Sequence, residues 1–114
     1  MLPGGLPGTE LLGNNPRVLD LIEYAANRGL FIAAICAAPS ILGKMRLLDG
    51  RNAAVYPSFA PALQYANITG KKVEHDDIFI TAEGMGVSFE FGFKLIEVMF
   101  GSDAANEIRA SVRF

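Results

Sequence analysis

The chain has 114 residues, 51% of them hydrophobic, which is the size and composition of one domain with a single core. Ten basic and twelve acidic side chains give a net charge of −2 with no Lys/Arg cluster, which argues against nucleic acid as a partner. No apolar run is long enough to cross a membrane and no signal-type start is present, so no membrane association and a cytoplasmic location are expected, while one cysteine and one histidine leave neither an intrachain disulfide nor a Cys/His metal site.

The first thirteen residues hold four glycines and two prolines, and read as a loop whose backbone can approach a ligand closely. Asn15 is placed to cap a helix, with Pro16 at its first position, Val18, Leu21, Ile22 and Ala25 on its apolar face, and Gly29 as its stop. The apolar run Leu30 to Ile35 predicts a strand buried on both faces, as parallel sheets require. A helix is expected from Ala37 to Arg46, with Pro39 in its first turn. Asn52 to Tyr56 predicts a short strand, and Phe59 to Tyr65 a short helix after the Tyr56-Pro57 break. Lys72 to Thr81 predicts an edge hairpin turning at Asp76-Asp77. Phe89, Phe93, Ile96 and Phe100 trace one face of a helix over Val87 to Phe100, and a last helix over Asp103 to Ser111 starts at a Ser102 cap. This alternation predicts an α/β fold, a parallel sheet flanked by helices, whose site lies beyond the carboxyl ends of the strands.

Cys36 stands at such an end, between a buried strand and a helix start. A residue in that turn is lifted above the sheet, and the amides that follow it are left unpaired. Ala33, Ala34, Ala37 and Ala38 supply the space a tight turn needs, and the amide of Ala37 can face an oxyanion. A helix N-terminus favours a thiolate by about 0.3–1 kcal/mol. That is too little to ionise a thiol at neutral pH, so strong reactivity demands a second donor or positive charge. Position alone is equally consistent with a nucleophile and with a small buried hydrophobe.

Four segments in the same order change that balance: Leu2-Pro3-Gly4-Gly5, Ala33 to Pro39, Tyr56-Pro57, and Gly84 to Phe91. From Leu2 to about Val112 the chain resembles the ThiJ/PfpI superfamily, and within it the branch of the parkinsonism-associated protein deglycase. The resemblance implies a flavodoxin-like fold, a homodimer and an easily oxidised cysteine at the elbow. It makes Cys36 the nucleophile, gives the Gly5 and Ala37 amides the oxyanion, and places Gly4, Tyr56 and Met85 around the pocket. Family domains carry further strands ahead of the glycine loop, so residues 1–114 are expected to form the C-terminal portion of a single domain, completed by an N-terminal segment. The family's acidic partner of the cysteine lies in that upstream part, and nothing in this chain corresponds to it. Ala37 stands where the peptidase-like branch has histidine, which disfavours proteolysis. Tyr56 replaces a histidine kept by some glyoxalase-active members, and Met85 stands where proline is common.

The expected function is therefore a cofactor-independent, metal-independent glyoxalase or protein deglycase, acting on methylglyoxal-type aldehydes or glycated protein. The alternative is a redox sensor or chaperone of oxidative stress, whose Cys36 is oxidised to a sulfinate. A third possibility is that these residues alone are inactive. His75 reads as a solvated turn residue, Gly84 and Gly86 as a weak phosphate-loop signal without its lysine, Phe89, Phe91 and Phe93 as core, and Glu90 as solvated.

Overall fold

The computed structural model describes residues 1–114. Strand β1 (Ile32–Ile35) runs parallel to β5 (Phe79–Ala82), and β5 is paired on its other side with antiparallel β4 (Val73–Asp76). The sheet is thus mixed, and the predicted hairpin supplies both its edge and its centre. Leu2 adds a single parallel bridge to Ala34, on the side of β1 away from β5.

Side chains alternate across the sheet with the two-residue period of a strand. Ile32, Ala34 and Phe79 join one cluster with Ile22 of helix α2 (Pro16–Asn27) and with Ile41 and Leu42 of helix α3 (Pro39–Lys44). Ala33, Ile80 and Ala82 join a second with Val87 and Phe91, the latter on helix α4 (Ser88–Phe100). Both faces are covered, and burying a side chain such as Ile80 or Leu42 contributes about 1.5–3 kcal/mol. No helix is long and apolar enough to cross a membrane.

Several expected elements shift for identifiable reasons. The opening loop contains a short helix α1 (Gly8–Gly13), which packs against α2. Asn15 caps α2 as expected, its Oδ1 accepting from the amides of Arg17 (2.9 Å) and Val18 (3.4 Å). Leu30 is not in β1. Its amide closes onto Ala25 O (2.9 Å), while that of Gly29, at φ 67°, donates to Ala26 O (3.2 Å), and these two bonds end α2 in a Schellman motif. The strand over 52–56 is reduced to β2 (Asn52–Ala53), paired parallel with a two-residue β3 (Asn67–Ile68) too short to show a period. The 3-10 helix at Pro57–Leu63 replaces the helix expected a few residues later. Helix α5 (Ser102–Ser111) has Gly101 at its N-cap, and Ser102 makes no cap bond. On α4 the core-facing residues are Phe91, Leu95 and Val98; Phe93 is buried, but Phe89 is 62% exposed, which corrects its assignment to the core. Phe89 and Phe93 lie instead beside Phe114, with ring centroids 5.8 and 5.0 Å from it.

Candidate functional site

Cys36 follows the last residue of β1 and adopts φ 65°, a left-handed conformation that non-glycine residues avoid. Such a residue costs about 1–3 kcal/mol and persists only where its surroundings fix it. Here the fixing bonds come from three directions. The Cys36 amide donates to Ala82 O at the end of β5 (2.9 Å), and its carbonyl accepts from the Tyr56 amide (2.9 Å). On the third side Leu2 is locked to β1, its amide donating to Ala33 O (2.7 Å) and its carbonyl accepting from the Ile35 amide (3.3 Å).

That bridge lays the glycine loop against the elbow. A Cβ on Gly4 would lie 2.7 Å from Cys36 Cβ and 2.8 Å from Ile35 O, so only glycine fits there. Gly5 needs glycine for a different reason, its φ of 85°; no atom crowds it. Neither the Gly5 amide nor the Ala37 amide donates to a backbone acceptor. For Ala37, which is 2% exposed, an unpaired buried N–H is a rarity in folded chains. The six-residue α3 begins only at Pro39, three residues after Cys36, and not at Ala37 as expected.

Cys36 is half-buried and opens into a cavity of about 560 Å³. Of the residues expected around it, Gly4, Gly5, Tyr56 and Met85 line this cavity. Ala37 is not among the lining residues, but its nitrogen lies 3.2 Å from where a Cβ on the lining residue Gly4 would be. Tyr56 leans over Gly84, and Met85 is 87% exposed at the rim. His75 is outside the cavity and exposed, its ring bonded to Asp77 O (2.8 Å), and Glu90 is exposed.

Sequence reasoning missed Lys72 and Glu83, the two charged residues of the lining. Glu83 had a signal. It follows an apolar strand, as Cys36 does, and the rule that sites gather beyond the carboxyl ends of parallel strands applies to both.

The geometry has counterparts among known proteins. A profile of the DJ-1/PfpI family, another name for the ThiJ/PfpI superfamily, matches residues 1–98. The chain is 37% identical over 110 residues to Protein dj-1beta of Drosophila melanogaster, covering 95% of this chain and 59% of that protein. It is 30% identical over 113 residues to the Parkinson disease protein 7 homolog of Danio rerio, covering 96% and 60%. It therefore spans about three fifths of the length of these relatives. The crystal structure of Drosophila melanogaster DJ-1beta superimposes with a TM-score of 0.89 at 35% identity, over 96% of this chain and 60% of that one. A structure of oxidized Toxoplasma gondii DJ-1 gives 0.88 at 30%, over 97% and 61%. A matching profile over most of the chain, and solved relatives that share its fold, place this chain in the DJ-1/PfpI family.

Proposed function

We propose that the protein is a cysteine-dependent, cofactor-independent glyoxalase or protein deglycase, in which Cys36 attacks the aldehyde carbon of methylglyoxal or, in an amine adduct, takes the place of the amine on that carbon as the C–N bond breaks and the amine leaves. The observation that carries this reading is the strained elbow: a thiol at φ 65° in an open cavity, next to two amides without backbone acceptors. The sulfur bonds to the aldehyde carbon, and the oxygen, as it gains charge, takes hydrogen bonds from the Gly5 and Ala37 amides. The hydrogen on that carbon passes through an enediol to the neighbouring ketone carbon, leaving a thioester of the hydroxy acid. Water cleaves the thioester and restores the thiol. One carbon is oxidised and its neighbour reduced, so no external redox partner is needed. Tyr56 and Met85 shape the cavity around the substrate, and a homodimer is the proposed assembly.

Lactate release from methylglyoxal, compared between the protein and Cys36→Ala, tests the reading. Activity lost in the variant is expected; equal lactate from both would overturn it.

A second reading is favoured by the likeness to a relative solved in an oxidized state. Here two equivalents of peroxide convert the Cys36 thiol to a sulfinate, peroxide is reduced to water, and the same amides hold the anion. It predicts a stoichiometric gain of two oxygens under mild peroxide with negligible dicarbonyl turnover.

A further inference from the structure

The two charged residues of the Cys36 cavity differ in how they are held. No ion pair joins Lys72 or Glu83 to each other or to any other residue. Other acids without an ion-pair partner, Glu10, Asp20, Glu23, Glu90, Asp103 and Glu107, are exposed on helices, where water solvates them. Glu83 alone among these unpaired acids is half-buried, and it faces a cavity.

Its place is set by the sheet. The parallel register of β1 and β5 ends at Ile35↔Ala82, so the next residues in the two strands are Cys36 and Glu83. The backbone of Glu83 is pinned, its amide donating to Lys72 O (2.9 Å). Lys72 immediately precedes β4 and lies opposite Glu83 across the β4–β5 pair, but it is exposed, so solvent screens its charge more than that of Glu83. The rest of the lining is uncharged, comprising glycines, Ile35, Val87, Met85, Tyr56 and Ser88.

We propose that Glu83 is a specificity-determining residue of this cavity, favouring aldehydes and adducts that carry a positive charge over carboxylate-bearing ones. The preferred ligand is then a cationic aldehyde, and free aldehyde acids such as glyoxylate are disfavoured. The inference rests on Cys36 being the reactive thiol of the cavity.

The test needs no turnover. Cys36 in the full chain is labelled with three matched methanethiosulfonates: the neutral methyl reagent, the anionic 2-sulfonatoethyl reagent and the cationic 2-(trimethylammonium)ethyl reagent. In each case the thiolate sulfur displaces methanesulfinate and forms a disulfide. The readout is the cation-to-anion rate ratio, while the methyl reagent reports any change in the thiol itself or in the fold. Glu83→Gln is expected to lower the ratio about fivefold, and Lys72→Gln to raise it by less. A ratio that moves less than about twofold in Glu83→Gln, or more in Lys72→Gln than in Glu83→Gln, overturns the proposal and leaves the reactive cysteine standing. Failure of all three reagents to label native Cys36 overturns both.

Discussion

Cys36 and Asp77 each follow the last residue of a strand, and each holds a positive φ, 65° and 54°. What keeps them there differs. Asp77 opens the two-residue connection from β4 to β5, where a left-handed first residue suits the hairpin and a short polar side chain tolerates it. It is exposed, and its one ion pair is with Arg51 at 3.3 Å. Cys36 has no such local excuse. Its conformation depends on Ala82, Tyr56 and the Leu2 bridge, all remote in sequence. Strain that local chemistry relieves serves a turn, whereas strain imposed from three sides presents a side chain to a cavity.

Two substitutions probe this contrast, the larger effect first. Gly4→Ala places a methyl group 2.7 Å from Cys36 Cβ, so either the loop or the elbow must move. Overpacking of this kind costs about 1–3 kcal/mol. Urea denaturation should register that loss, and lactate production should fall with it; wild-type values for both would mean that the loop does not support the elbow. At the turn, Asp77→Gly relieves the positive φ of the residue and removes an exposed ion pair worth about 0.2–1 kcal/mol. These effects oppose one another, so stability should stay within about 0.5 kcal/mol of wild type. A large loss would mean that Asp77, too, is held from outside.

Much of the fold is legible in the sequence because its signals are local. Asn15 and Pro16 announce α2, Gly29 ends it, and the apolar run into Ile35 marks β1. The elbow was readable at Cys36 from the small residues on either side of it. What escaped was non-local. Glu83 joins Cys36 only through the pairing of β1 with β5. Phe89, Phe91 and Phe93 of α4 read alike as core, and only the sheet beneath Phe91 and the Phe114 ring beside Phe93 show where they pack, with Phe89 left exposed. The β2–β3 pair, two residues on each strand, carries no period at all.

Residue 36 is a strained, left-handed elbow, and the stability difference between Cys36→Gly and Cys36→Ala reads that strain. At an ordinary strand or helix position glycine is the less stable of the two by about 0.5–1 kcal/mol. At a left-handed position the order reverses, since a Cβ there costs about 1–2 kcal/mol. Urea denaturation should find Cys36→Gly more stable than Cys36→Ala by about 1 kcal/mol. An alanine variant as stable as the glycine variant, or more so, would contradict the strained elbow on which the functional account rests.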